Sequence, residues 1–317
     1  MKCFRVSHPF RRKGTLRFSE NFLFLKYRFE LTPLAFPLYR KPSYKNKAVE
    51  AVKSNPARPL DRKEQNMPDV EGADKKKPTE RMDADHLFRF RCNPGVPCFT
   101  RCCGDVTIAL TPYDVIRLKN ALGVSSEEFL DKYAIIIPRE NRLIPLVLLK
   151  MNEGDKRCPF VTERGCTVYE DRPWPCRMYP LNMEDDGTFR LIAEASRCEG
   201  LKEEETWQIS EWLVDQGVVP YDEMNTLFSS VTIPLTAQNP DIDNPGILKM
   251  VFMALYNLDK FRDFVFQSSF LNRFEVDPTR IEKIRRSDLE LLKFGFDWIK
   301  FGLFGQKLFK VKEKQAQ

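Results

Sequence analysis

The chain has 317 residues, a length that suits one large domain or two small ones, and its 42% hydrophobic and 30% charged residues are typical of an ordinary globular protein. No run approaches the roughly 20 apolar residues that cross a membrane. Its net charge of +6 is uneven, because residues 1–66 carry a net of +11 and the remainder a net of −5. The basic character thus belongs to the first segment, and since phosphate binding requires a basic face, we expect no nucleic-acid partner for the rest of the chain. The lack of a spanning run leads us to expect no membrane partner.

The first 86 residues lack the signals of folded elements. Residues 1–66 mix basic residues, aromatics and prolines without a helical or strand period, and residues 67–85 are polar and charged. We predict that residues 1–86 are a disordered or non-native extension and that the native protein starts at Met67. The alternative is a basic arm that binds membrane or nucleic acid. A targeting peptide fits poorly, because prolines interrupt the apolar stretch.

The next region, residues 87–200, alternates short predicted elements with cysteine-rich loops. Thr111 caps a predicted helix that Gly123 ends, and Ser125 caps a second one that runs to about Tyr133. The predicted strands are 105–110, 144–151 and 188–195. The Pro- and Arg-rich segment 158–181 is predicted to be mostly loop.

Residues 201–317 are predicted to be a helical C-terminal region. The predicted helices are 203–216, 220–229, 246–268, 278–286 and 287–303. Aromatic residues between 294 and 304 are interpreted as core. We therefore predict an α+β fold, with a small cysteine-rich metal-binding region of short strands and helices followed by a helical part.

Eight of the nine cysteines lie in two clusters about 54 residues apart, and Cys3 stands alone. In a long chain without a clean signal peptide, this indicates metal or redox chemistry in a reducing cytoplasm rather than a disulfide scaffold. Thiolates at short loop spacings can converge on one soft cation or cluster. The predicted ligands are Cys92, Cys98, Cys102, Cys103, Cys158, Cys166, Cys176 and Cys198.

The identity of the metal is argued from the spacing. The sequence has no Cys-x-x-Cys, and the adjacent pair Cys102 and Cys103 is awkward for two ligands on one tetrahedral zinc ion. His8 and His86 are the only histidines, so mixed Cys/His zinc sites are poorly supplied. The sequence favours an iron–sulfur cluster, which tolerates varied spacings, with zinc as the alternative.

At these residues the chain resembles a known family. The Cys…Cys…Cys-Cys run, Cys158-Pro-Phe, the Gly-Cys-x-Val-Tyr-Glu-x-Arg-Pro run and the Cys-Arg-x-Tyr-Pro run are similar to those of YkgJ-type cysteine cluster proteins, over residues 88–200. The resemblance implies a zinc- or iron-chelating domain. The first run, with five and three intervening residues, is wider than the commoner family spacing near Cys-x-x-Cys-x-x-Cys-Cys.

The same cysteine pattern is similar to that of flagellin lysine-N-methylases. That resemblance implies a methyl transfer that depends on S-adenosylmethionine. No Gly-rich cofactor loop supports this independently, and no nucleophile–base pair emerges from the sequence, so we name no catalytic residues.

Two arginines flank Cys176 and are predicted to bind the cofactor. The guanidinium groups of Arg172 and Arg177 would offset the negative charge of the centre and donate hydrogen bonds to sulfur. The alternatives are that they bind an anionic substrate or that they pair with the nearby acids Glu170 and Asp171.

Three functions are open at this point. The first is an iron–sulfur protein in redox transfer or in support of a modifying enzyme. The second is a zinc-stabilised binding module without catalysis, whose helical C-terminal region docks a protein partner through aromatic residues between 294 and 304. The third is a protein lysine methyltransferase.

Overall fold

The computed structural model describes residues 81–139, 143–237 and 244–312. The predictions made for residues 1–80, including the start at Met67, lie outside these ranges, as do Cys3 and His8. In the three described ranges, no helix is long and apolar enough to span a membrane.

The β structure consists of short antiparallel pairs. The strands are β1 (Leu87–Arg89), β2 (Ala134–Ile137), β3 (Leu146–Leu149), β4 (Val161–Thr162), β5 (Gly165–Cys166), β6 (Leu181–Met183), β7 (Phe189–Leu191), β8 (Thr206–Gln208), β9 (Phe274–Glu275) and β10 (Lys310–Val311). β1 pairs with β8, β2 with β3, β4 with β5, β6 with β7 and β9 with β10. The β1–β8 pair, in the register Phe88 to Trp207, joins the start of the cysteine-rich region to the chain that follows its last cysteine.

The helices are α1 (Pro112–Leu122), α2 (Ser126–Tyr133), α3 (Trp174–Met178), α4 (Ile209–Asp215), α5 (Val219–Ala237), α6 (Pro245–Leu255), α7 (Leu258–Gln267), α8 (Phe270–Arg273), α9 (Pro278–Arg286) and α10 (Asp288–Phe304). The predicted α+β fold with a helical C-terminal part is confirmed. α1 begins with the predicted cap, because Thr111 and Asp114 form a complete capping box, and Gly123 ends the helix with a φ of 67°.

Several predicted elements are corrected. Among the described residues, 105–110 do not form a strand and instead contact β3 through the bridge between Ala109 and Leu148. The predicted helix 246–268 is two helices, because the chain turns at Asn257, whose side chain caps α7 by accepting from the Lys260 N–H. The other corrections concern bounds: 203–216 is strand β8 followed by α4, 220–229 extends to 219–237, and the segment 158–181 contains a hairpin and α3.

Two hydrophobic clusters form the core. The larger joins residues of α1, α2 and β3 to the helical C-terminal region, so the cysteine-rich and helical regions share it. The smaller gathers around Trp212 and includes Phe88, Phe90 and Cys198. Cys158 and Cys166 pack against the larger cluster. Three of the predicted cysteine ligands therefore contact one or other of the two hydrophobic clusters.

The interpretation of the aromatic residues between 294 and 304 as core is confirmed. Phe294 and Phe296 are buried, and Trp298 is half-buried. Ring centroids of Phe270 and Trp298 lie 4.9 Å apart, and those of Phe294 and Phe309 lie 5.1 Å apart. This segment does not supply the exposed apolar patch on which the zinc-module hypothesis drew for partner docking.

We expect Gly295→Ala to destabilise the helical part by about 1–3 kcal/mol, because it overpacks a closed helix contact. A Cβ at Gly295 would lie 2.5 Å from the backbone oxygen of Ala254 in α6. Gly302 in the same helix is the matched control, since a Cβ there meets no described atom within 4 Å. Gly302→Ala should be neutral or stabilising by up to about 1 kcal/mol through helix propensity. Urea unfolding of both variants measures the difference, and equal effects would contradict the packing argument.

Candidate metal centre

The first four cysteines lie on a series of tight turns. The Phe99 N–H donates to the Val96 oxygen at 2.8 Å, and the Arg101 N–H donates to the Cys98 oxygen at 3.0 Å. The chain then forms a 3-10 turn, Arg101–Cys103, after Thr100 in a left-handed conformation with φ 62°. These backbone hydrogen bonds hold Cys98, Cys102 and Cys103 close together on one short loop.

Cys158 and Cys166 frame the small hairpin β4–β5. The Val161 N–H donates to the Cys158 oxygen at 3.2 Å, and Cys166 is the strand partner of Val161. Gly165 begins β5 directly after the turn, with a φ of 111°, a conformation that favours glycine. The hairpin also contacts the first loop, since a Cβ at Gly165 would lie 3.3 Å from the Phe99 ring.

Cys176 lies on the five-residue helix α3, which is anchored by a buried carboxylate. Asp114 is fully buried at the start of α1, and its Oδ1 accepts from the Trp174 N–H at 2.8 Å. Its Oδ2 accepts from the N–H and hydroxyl of Thr111 at 2.7 and 2.8 Å. Burial raises the pKa of Asp114 to about 6, and the hydrogen bonds that the carboxylate accepts lower the pKa and so limit this rise. Asp114 therefore joins the α1 cap to the helix that carries Cys176.

Cys198 is buried and lies beside the first loop. The Glu199 N–H donates to the Cys98 Sγ at 3.2 Å, and the Arg91 N–H donates to the Gly200 oxygen at 3.0 Å. A Cβ at Gly200 would lie 2.6 Å from the Arg91 oxygen, so the absence of a side chain permits this close approach. The most remote cysteine in the sequence is thus brought to the first loop.

The second cluster is joined to the first loop by the backbone. The Cys158 N–H donates to the Cys103 oxygen at 2.8 Å, and Gly104 forms a bridge with Arg157. The fold therefore gathers cysteines from three chain segments, as the sequence argument requires. In the ranges that the structure describes, however, no three Cys, His, Asp or Glu side chains stand ready to hold a metal ion.

The thiols around Cys92 repel one another when ionised. Partial withdrawal from water raises the pKa of Cys92 to about 11, and repulsion from three thiolates adds to it; these belong to Cys102, Cys98 and Cys198. Tyr179 belongs to the same group, because its pKa is raised first by burial and then by a side-chain hydrogen bond with Cys198. The side chains of Cys92, Cys98, Cys102, Cys198 and Tyr179 are therefore close enough for their charges to interact.

A second group of thiols surrounds Cys176. Burial raises its pKa to about 12, and repulsion adds to it, chiefly from Cys158, Asp114 and Cys166, whereas Arg172 opposes the shift. Burial also raises the pKa of Cys158 and of Cys166. Protons therefore occupy these thiols at neutral pH, and a metal must displace them.

The adjacent pair differs in its two members. A hydrogen bond from the Cys103 thiol lowers the pKa of Cys102 to about 7, and the same bond, with burial, raises the pKa of Cys103. Repulsion from Cys176 and Cys158 also acts on Cys103. Within this pair, Cys102 therefore ionises before Cys103.

Arg172 and Arg177, the predicted cofactor-binding residues, are both buried beside α3. The guanidinium of Arg172 donates to the Tyr169 oxygen and to Gln216, and its carbon lies 3.7 Å from the Tyr169 ring centroid. Arg177 donates to three backbone oxygens, those of Arg172, Gln216 and Glu170. Glu170 thus contacts Arg177 through its backbone oxygen, and Asp171 forms an ion pair with Arg117 at 2.5 Å. Binding of a cofactor by the two arginines stays a prediction.

Sequence reasoning missed the anchoring role of Asp114 and the contribution of Gln216. Asp114 was visible as a helix-start residue, but its contact with Trp174 spans 60 residues and has no local signal. Gln216 follows α4 and contacts Arg172 across 44 residues.

The donor set fits a soft metal. It consists of thiols, and His86, the histidine in the described part of the chain, is exposed. Residues 91–207, which include all eight predicted ligands, match the sequence model of the CxxCxxCC family, described as a "Putative zinc- or iron-chelating domain". The resemblance to YkgJ-type proteins, which are the same family, is thereby confirmed for this part of the chain. Neither the curated proteins nor the solved structures gave a match.

Proposed function

We propose that the cysteine-rich domain binds an iron–sulfur cluster in a reducing compartment and acts in redox transfer or in support of a modifying enzyme. The observation that carries the proposal is the gathering of eight thiols from three segments, with a backbone N–H already donated to sulfur at Cys98. Hydrogen bonds to sulfur are among the features that set the reduction potential of such clusters. Methyl transfer to lysine stays a hypothesis.

Binding of the group would fall to this chain's cysteines. Each ligating thiol must release its proton, and Cys102, whose pKa is lowered to about 7, releases it more readily than its neighbour Cys103. Arg172 opposes the raised pKa of Cys176 and so favours its thiolate. When bound, an iron–sulfur cluster supplies one-electron chemistry.

Anaerobic purification with iron, zinc and sulfide analysis tests the proposal. We expect stoichiometric iron with acid-labile sulfide and a visible absorption band that dithionite bleaches. A colourless protein that contains stoichiometric zinc and neither iron nor sulfide would show instead the zinc-stabilised module.

Metal affinity should fall as pH falls. The thiols of Cys92 and Cys176 have pKa values raised to about 11 and about 12, so at neutral pH both are protonated and both must release a proton to bind metal. Each displaced proton weakens the apparent affinity by about tenfold for every unit of pH lowered. Competition of zinc between the apoprotein and a chromophoric chelator of known pH dependence, at pH 8 and pH 6.5, measures this. Equal affinity at both values would contradict binding through these thiols.

A further inference from the structure

The strand β2 presents an uncharged apolar edge to solvent. Its last three residues, Ile135, Ile136 and Ile137, are 45%, 40% and 40% exposed. Single exposed apolar residues are common on protein surfaces, but a continuous run of them on an edge strand is not. Natural proteins protect such edges with charged residues or a covering element, because an open edge pairs readily with another strand. The exposed edge of β2 is therefore a candidate interface.

The hydrogen bonds of β3 show that β2 forms the edge of this sheet. On the side of β3 away from β2, the Leu149 N–H donates to the Ile108 oxygen at 2.9 Å. On the same side, the Leu110 N–H donates to the Val147 oxygen at 2.8 Å. β3 therefore lies between the segment 108–110 and β2. In the ranges that the structure describes, β2 pairs with no strand other than β3.

The same pattern determines which backbone groups of β2 point outward. Bonding alternates along an antiparallel pair, so a residue of β3 whose backbone bonds to the segment 108–110 does not bond to β2. Val147 bonds to that segment and lies opposite Ile136 in the β2–β3 register. Leu149 does the same opposite Ala134. The N–H and C=O groups of Ala134 and Ile136 therefore point away from β3, toward the open edge.

The ends of β2 limit the length of any strand that pairs with this edge. Helix α2 ends at Tyr133, directly before the strand, and Pro138, directly after it, has no N–H to donate. The open edge is four residues long. A long partner strand would extend beyond it and leave its own backbone groups without partners, whereas a second β2 has the same length. The sequence Ala-Ile-Ile-Ile also lets two copies approach without repulsion between like charges.

We propose that two copies of this chain associate by antiparallel pairing of their β2 edges, about a two-fold axis at Ile135. In this register Ala134 lies opposite Ile136 of the partner subunit, so each outward N–H meets an outward C=O. Ile135 lies opposite Ile135 of the partner subunit in a non-hydrogen-bonded pair, where side chains approach closely. The pairing requires no metal and is therefore independent of the proposed function.

The size of the edge makes this dimer weak. A standard interface buries roughly 800 Å² on each subunit, and a strand edge of four residues buries less than that. The half-buried Leu148 lies opposite Ile135 within each subunit, so the apolar face of the sheet continues across the axis. We therefore expect an equilibrium between monomer and dimer that depends on protein concentration.

Sedimentation equilibrium of the full-length protein, from about 1 µM to about 500 µM, tests the pairing. We expect the weight-average mass to rise with concentration from that of the monomer toward that of the dimer. Ile135→Lys should lower the association constant by about tenfold or more, because two lysines meet at the axis. A mass that stays monomeric over the whole range would overturn the proposal, as would an Ile135→Lys variant that associates like the wild type.

A charge swap tests the register. Ile135→Glu should weaken self-association in the same way, and an equimolar mixture of Ile135→Lys and Ile135→Glu should restore it, because opposite charges then meet at the axis. Ile233→Lys in α5 is the matched control, since Ile233 is also 45% exposed, and it should associate like the wild type. A mixture that stays monomeric, or a control that loses association, would overturn the pairing.

Hydrogen exchange of the wild type provides a readout that needs no variant to fold. The outward amides of Ala134 and Ile136 gain acceptors only in the dimer, so they should exchange more slowly at high than at low protein concentration. Equal exchange rates for this strand, measured across the range in which the mass rises, would show that the copies associate through another surface and would overturn the proposal.

Discussion

Replacement of both residues of the adjacent pair, in the variant Cys102→Ser/Cys103→Ser, should abolish metal binding and unfold the cysteine-rich domain. Both residues are predicted ligands, and Cys103 lies where the first loop meets the second cluster, because its backbone oxygen accepts from the Cys158 N–H. A metal site that joins separate loops is coupled to folding, so loss of the metal also removes folding free energy. In zinc peptides this binding free energy is on the order of 10 kcal/mol. The loops themselves are held by few elements, since β4 and β5 have two residues each.

Elemental analysis, near-UV circular dichroism and thermal unfolding would measure this loss. Cys3→Ser is the matched control, since it removes the one cysteine outside the two clusters, and it should keep full metal content. If the double variant is insoluble, removal of metal from the wild type by a chelator should lower the melting temperature in the same direction. A double variant that keeps the metal content and melting temperature of the wild type would show that the cysteines do not bind the metal.

Asp114→Ala should destabilise the protein by about 2–4 kcal/mol and weaken metal binding through Cys176. The carboxylate is fully buried and accepts three hydrogen bonds, and its removal leaves the Trp174 N–H without an acceptor. Each buried donor left without a partner costs about 1–3 kcal/mol. The first residue of α3 would lose its contact with α1, and Cys176, two residues further along the same helix, would shift.

Ser125→Ala is the control for the loss of a helix cap alone. Ser125 accepts from the Glu128 N–H at 3.1 Å at the start of α2, and it is exposed. Its replacement should cost about 1 kcal/mol and leave the metal content intact. Urea unfolding with cobalt titration separates the two variants. An Asp114→Ala variant that binds cobalt with the affinity and stoichiometry of the wild type would contradict the positioning of Cys176 through Asp114.

Elements with a complete local signal could be predicted from the sequence. α1 carries its cap, a proline in its first turn and a terminal glycine within thirteen residues, and its bounds follow from them. α9 begins where Asp277 precedes a proline. The fold class also follows, because the cysteine-rich and helical patterns occupy different parts of the chain.

Elements that depend on a distant partner could not be predicted. The apolar stripe of 246–268 continues through α6 and α7, but the chain turns at Asn257 because both helices pack against α10. Residues 105–110 have strand-forming composition, yet their pairing with β3 ends after the bridge at Ala109. The period of the apolar residues indicates which face of a helix is buried, but it does not indicate where the chain turns and a new helix begins.

The sequence by itself determined that eight cysteines act together, because their number, spacing and flanking Pro and Gly residues are properties of the chain. Their grouping was decided by the tertiary structure. Cys198 reaches Cys98 through the Glu199 N–H across 101 residues, and Cys103 reaches Cys158 through a backbone hydrogen bond. Such contacts form because two hydrophobic clusters draw their loops together, and no spacing along the chain records which loops share a core.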